Sequence, residues 1–289
     1  TADLVRSCIR ALKGVDKSDT GEAYISAFMP AAGGVGNTTL ALQTAFLLHR
    51  SATRAASTCV VDLNFQNGSC AEYLDLEPRF DITEVENQVE RLDRQLLDAL
   101  LSKHPSGLAV LAAPNMPTEM RSFDTDVVVK VLDLVSAYFD NVVIDLPRIW
   151  FPWTETVLRG SNHVYITAEM TVPCLRHTQR LINAIETEVG KEVKSRVIIN
   201  RYTPKGLEGG VKATDVEELL GDRFAGGISN NYKLVREAVD RGVPLHEVDP
   251  NANVMRDLKR IILPEEMQLE AGGKRGFLGL GRGLLKKAG

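Results

Sequence analysis

Between residues 23 and 50 an apolar stretch, a glycine-rich turn and a second apolar stretch follow one another, and this order limits what the chain can become. Ala23 to Met29 reads as a buried strand, and Thr38 to Arg50 repeats apolar residues at helical spacing. Between them lie Gly33, Gly34, Val35, Gly36, Asn37, Thr38 and Thr39. Glycines let successive backbone N–H groups turn inward, and the start of the following helix adds partial positive charge, so the turn reads as a phosphate-binding loop. One position departs from the usual pattern, which ends Gly-Lys-Ser/Thr: the residue between Gly36 and Thr38 is Asn37. A lysine there reaches the β- and γ-phosphates, and Asn37 can support that task only as a neutral donor. Binding can survive such a change where hydrolysis is impaired. An ordinary glycine turn between strand and helix is the plain alternative.

The rest of the chain continues the alternation. Ser57–Leu63 is an apolar strand pattern that delivers Asp62 to its end, and Asn141–Pro147 is a second one ending in Asp145. In open parallel sheets ligands bind at the carboxyl ends of strands, which places Asp62 beside the glycine turn, although an Asp that merely closes a strand reads the same way. The second strand resembles a Walker B element, whose Asp145 would act on Mg²⁺ through a water while Thr38 meets the ion from the other side. Further strands are expected at 107–113, 162–167, 195–201 and 226–229, and helices at 71–76, 82–101, 124–138, 174–188, 213–220, 232–241 and 253–262. Strands alternating with helices imply right-handed crossovers: an α/β fold with a mostly parallel twisted sheet and helices on both faces.

Composition narrows the function classes. A length of 289 residues suits one large domain with short appendages. The net charge of −4 argues against a chain whose whole surface binds nucleic acid, and DNA is not an expected partner. Cys8, Cys59, Cys70 and Cys174 show no metal-ligand pairing and no disulfide framework, which fits a reducing cytoplasm. No signal-peptide pattern and no bilayer-spanning apolar run is present. The first residue is Thr1, and a longer parent chain is expected. His49, His104, His163, His177 and His246 are scattered and read as satisfied or surface histidines. Trp150 and Trp153 follow the Asp145 strand, and packing is the favoured explanation for them.

Taken together, Gly33–Thr39, Val60–Gly68, Leu111–Pro114, Val142–Pro147 with the two tryptophans, Val172–Arg176 and Ile199–Tyr202 resemble the ATPase domain of the CpaE/TadZ pilus-assembly proteins, within the MinD/ParA group of P-loop NTPases. Residues 228–238 and 242–245 resemble that group's C-terminal part. The resemblance implies two subunits sandwiching ATP and Mg²⁺, with a signature lysine crossing the dimer interface. That lysine's position is Ala32 here, and the second Asp of the group's motif after the second strand is replaced by Asn64. Asp62 keeps the first, as a candidate catalytic residue and a possible ligand to the metal. Asn200 is implied to meet the adenine edge and Arg201 to pack on the base; a turn-forming Asn at the strand end is the alternative. Because Ala32, Asn37 and Asn64 all lie where transition-state charge is stabilised or water is oriented, the pattern implies ATP binding with weak or absent hydrolysis.

Three organisational segments follow: residues 1–21 as a linker or the end of an upstream receiver-like domain, 22–265 as the ATPase-like domain, and 266–289 as a basic Gly/Leu-rich tail. From Ala271 onward the tail carries five Lys/Arg and no acid, so contact with an anionic inner-membrane surface is one reading and a solvated tail the other. The expected function is a homodimeric localisation and assembly scaffold for the tight-adherence (Flp-type) pilus machinery, at the cytoplasmic face of the inner membrane or at the cell pole. An active ATPase cycling on membrane or DNA, and an interaction module that has lost nucleotide, are the alternatives.

Overall fold

The computed structural model describes residues 23–51, 57–87, 92–115, 123–204 and 210–264. The expected linker at 1–21 and tail at 266–289 lie outside the described residues. Strands β1 (Tyr24–Pro30), β2 (Thr58–Asp62), β4 (Ala109–Leu111), β5 (Asn141–Asp145), β6 (His163–Glu169), β7 (Ser195–Tyr202) and β8 (Phe224–Ser229) are joined by β3 (Ser102–Lys103) into one sheet of order β3-β4-β2-β5-β1-β6-β7-β8. Every pairing is parallel except β3 with β4. All of β2 and β5 is buried, as expected of parallel strands covered on both faces.

Two apolar layers flank the sheet. Because side chains alternate across a strand, Val60 and Val143 enter one layer while Val61 and Ile144 enter the other. The first layer is filled by α1 (Asn37–His49) and, near the end of the described chain, by the helix Asn253–Ile262. The second is filled by α4 (Thr125–Tyr138), α5 (Thr154–Arg159) and α6 (Val172–Ala184), together with Trp153. Trp153 is buried against Phe65 and Phe151, so the packing expectation holds for it. β1 is the central pivot, with β5 on one side and β6 on the other, and the chain first winds outward through β2 before returning to β6. Crevices at the carboxyl ends of strands around such a pivot are where ligands bind.

The structure departs from the expected elements in a few places. The helix expected over 82–101 is two helices, α2 (Ile82–Asn87) and α3 (Arg94–Leu100), because Asp93 caps a new start by accepting from the Leu96 N–H. The helix expected at 71–76 is a single 3₁₀ turn, Glu72–Leu74. The antiparallel β3 was not expected, since two residues carry no periodicity. The helix expected over 174–188 is α6 followed by a π-helical turn, Ile185–Val189. The remaining α-helices are α7 (Ala213–Leu220), α8 (Tyr232–Asp240), a short α9 (Leu245–Val248) and α10 (Asn253–Ile262). His104, buried, is satisfied by the Gly242 carbonyl and the Ser106 hydroxyl, as a core histidine should be.

Candidate nucleotide-binding site

The glycine turn leaves β1 and enters α1 through two left-handed residues, Gly34 (φ 74°) and Gly36 (φ 85°), a conformation that costs an L side chain on the order of 1 kcal/mol or more. Gly36 is also the N-cap of α1, with no side-chain cap on the helix and no acid in its first turn. The first amides of α1 are thus left for an anionic guest. Around this helix start a cleft of about 700 Å³ opens, lined by the glycine turn, Asn64, Asp145, Arg148, Asn200, Arg201 and the start of α8. Ala32 stands half-buried on its wall.

Asn37 lines that opening but turns its amide nitrogen to the sheet. Its side chain is buried, and Nδ2 donates to the Phe28 carbonyl (3.0 Å) and to Asp145 Oδ1 (2.6 Å). A carboxamide lacks the long stem of lysine, and the nearest strong acceptors stand at the ends of β1 and β5, so both donors are spent there. What Asn37 offers a phosphate is therefore its place in the backbone. Thr38 donates Oγ1 to Asp145 Oδ2 at 2.6 Å, joining the two groups expected around Mg²⁺. Hard oxygen donors of this kind fit that ion, and Thr38 and Asp145 are the residues that could hold it.

Asp62 and Asp145 are register partners on β2 and β5, and both are buried. Asp62 accepts from the Asn64 N–H (2.9 Å) and the Cys70 N–H (3.1 Å), which curls the chain after β2 back over the carboxylate. Gly68 permits that curl, since a Cβ there would lie 2.6 Å from Asp62 Oδ2. Burial raises the Asp62 carboxyl above its ordinary range, opposed by the two N–H bonds. Burial first, and then the charge of Asp62, push Asp145 up to about 7. Asn64 spends its own amide on the Asn67 carbonyl within the loop.

Asn200 and Arg201, at the end of β7, reach the glycine turn itself. Asn200 Nδ2 donates to the Val35 carbonyl (2.8 Å), and Arg201 donates to the Gly34 carbonyl (3.2 Å) while pairing with the Glu169 carboxylate. Arg201 adopts a left-handed backbone (φ 53°), and its N–H donates to Asn200 Oδ1 (2.9 Å). The implied adenine contacts thus appear here as a brace on the turn, at the cleft wall. Sequence reasoning missed Glu169, which anchors the brace, and Cys70, whose thiol lies 3.6 Å from Asp145 Oδ2. No local spacing reveals either, because both contacts arise from strand order. Tyr232 and Arg236 on α8, given no role from the sequence, also line the cleft.

This sheet order with a glycine turn after the central strand defines a MinD/ParA-type P-loop fold. No family model matches the chain. The chain is similar to the septum site-determining protein MinD of Thermotoga maritima, 24% identical over 259 residues that cover 88% of this chain and 91% of that protein. The structure superposes on a ParA family ATPase from Chlorobium tepidum with a TM-score of 0.71, at 19% identity, over 84% of this chain and 98% of that one. It also superposes on MinD of Pyrococcus horikoshii complexed with Mg-ADP, with a TM-score of 0.62 at 16% identity, over 87% and 98% of the two chains.

Proposed function

We propose that the protein binds ATP with Mg²⁺ in this cleft and turns it over slowly or not at all, acting as a homodimeric scaffold that positions the tight-adherence pilus machinery at the inner membrane. The observation that carries the nucleotide reading is the open, uncapped start of α1 behind Gly34 and Gly36, with Thr38 and Asp145 joined at its base. The turn and first amides of α1 bind phosphate, and Thr38 with Asp145 orients the ion that shields it. The same geometry supports the reading of weak hydrolysis. Asn37 is tied to Phe28 and Asp145, Ala32 carries no charge, and Asp62 is held by two backbone N–H groups, so no described side chain among these stands ready to neutralise a transferring phosphoryl group.

The pilus role rests on the likeness of Val60–Gly68, Val172–Arg176 and Ile199–Tyr202 to the pilus-assembly branch. The name of the Thermotoga maritima relative, a septum site-determining protein, supports a positioning role of some kind. Among the described residues no helix is long and apolar enough to cross a membrane. The basic tail is the segment proposed to contact the inner-membrane surface.

Equilibrium binding of ATP, ADP and a non-hydrolysable analogue, with and without Mg²⁺, tests the reading beside a Gly36→Arg control. Mg²⁺-dependent binding that is lost in the control, with negligible turnover in the same samples, is expected. Absence of binding at millimolar nucleotide would replace it with a nucleotide-free interaction module, and turnover stimulated by lipid or DNA with an active cycling ATPase.

A further inference from the structure

Among the described residues, the charged side chains that line the cleft are Asp145, Arg148, Arg201, Arg236 and Asp240. Arg201 and Arg236 are already committed. Arg201 pairs with Glu169 and donates to the Gly34 carbonyl, while Arg236 lies 3.5 Å from the Asp240 carboxylate and 3.5 Å from the Tyr232 hydroxyl. Arg148 is different. It is exposed, and no ion pair reaches it among the described residues. The two positions where lysines are expected around a triphosphate hold the neutral Ala32 and Asn37, so Arg148 is the uncommitted positive charge on the cleft wall.

The segment that carries Arg148 is fixed at both ends and open at its apex. The Leu146 N–H donates to the Phe28 carbonyl at 2.9 Å, which ties the chain leaving β5 to the end of β1. Beyond the apex, Thr154 Oγ1 accepts from the Phe151 N–H at 2.9 Å, and Trp153 is buried. Arg148 and Ile149 stand exposed between these anchors. Sheet order then says which part of a nucleotide they face. β5 lies on one side of β1, and β7 with the Asn200 brace lies on the other. Thr38 and Asp145 meet at the end of β5, and an Mg²⁺ held by such a pair bridges the β- and γ-phosphate oxygens. Arg148 follows Asp145 by three residues, on that same side.

We propose that Arg148 recognises the terminal phosphate, so that the cleft distinguishes a nucleoside triphosphate from a diphosphate. The assignment rests on the nucleotide binding proposed above. A guanidinium stays protonated, and its planar fork matches phosphate oxygens in pairs. The charge absent from Ala32 and Asn37 is thus supplied from the loop after β5. Slow turnover is compatible with it. A cation that meets the phosphate equally in the bound state and in the transition state tightens binding without accelerating the reaction, and Asn64 spends its amide within its own loop. Arg148 is then a sensor of which nucleotide is bound.

The test is calorimetric titration of the wild-type chain, Arg148→Ala and Arg148→Lys with ATP, ADP and inorganic triphosphate, each with Mg²⁺. Arg148→Ala should weaken ATP and triphosphate about tenfold or more, the worth of a charge-assisted hydrogen bond, and ADP by less than about threefold. Arg148→Lys should recover part of the loss, since it keeps the charge without the fork. The melting temperature of the nucleotide-free chain should be the same for all three, because Arg148 is exposed and unpaired. Equal ATP affinity in wild type and Arg148→Ala, or equal losses for ATP and ADP, overturns the assignment and leaves the nucleotide reading standing. Triphosphate binding that depends on Arg148, without ATP binding, sinks the nucleotide reading alone. Binding of neither sinks both.

Discussion

The Asn37 carboxamide nitrogen lies 2.6 Å from Asp145 Oδ1, so the residue standing at the phosphate loop's lysine position serves the sheet beneath it. Replacing Asn37 by Ala leaves the Phe28 carbonyl and Asp145 Oδ1 without this donor in a buried setting, at a cost of about 1–3 kcal/mol. Thermal or urea denaturation should register that loss. Asn37→Lys should instead tighten ATP binding about tenfold or more through a charge-assisted bond to phosphate, read by calorimetry.

The raised carboxyl of Asp145 gives stability a definite pH slope. Its proton is held up to about 7 in the folded chain, whereas the unfolded carboxyl loses it near 3.8. Between those values the folded state binds more protons, so stability falls as pH rises through this window and is level above it. Urea midpoints measured in EDTA from pH 4.5 to 8 should decline accordingly. Asp145→Asn should flatten part of that decline and raise the midpoint at pH 8, while impairing Mg²⁺-dependent nucleotide binding.

Two neighbouring glycines should respond differently to one methyl group. At Gly36 (φ 85°) an added Cβ overlaps Asn200 Nδ2, so Gly36→Ala should cost about 1–3 kcal/mol and abolish nucleotide binding. At Gly33 a Cβ meets nothing within 4 Å, and φ is not in the left-handed range. Gly33→Ala should leave the melting temperature unchanged.

The tryptophans should separate in the same way. Trp153 is 1% exposed and stacked on Phe151, and Trp153→Ala should cost about 3–5 kcal/mol in chemical denaturation. Trp150 is only half-buried, and its loss should be much milder. The same pair of variants assigns the intrinsic fluorescence, with the bluer emission belonging to Trp153.

Strands such as 141–145 were legible because continuous apolar runs between turn signals have few other uses, and the glycine turn with its two strand-end carboxylates was legible because the motif is local. Asp93 could have revealed the break between α2 and α3, since a cap is also local. What stayed hidden depends on strand order. Glu169 and Arg201 are 32 residues apart, and Cys70 and Asp145 are 75 apart; each pair meets only because β6 lies beside β7 and β2 beside β5. The direction in which Asn37 points was hidden too, because it is decided by which acceptors the sheet presents.

The bond from Asn200 to the Val35 carbonyl spans 165 residues. At synthesis rates of about 5–20 residues per second, the glycine turn leaves the ribosome roughly 10–30 s before its brace. For most of that interval β6, β7 and Glu169 are still unmade, and the nascent chain holds an unbraced turn and a sheet lacking one side of its pivot. Competence for a ligand therefore arrives late in translation and all at once. A chain cut short before β7 would carry every residue of the motif and still lack the clamp that shapes it.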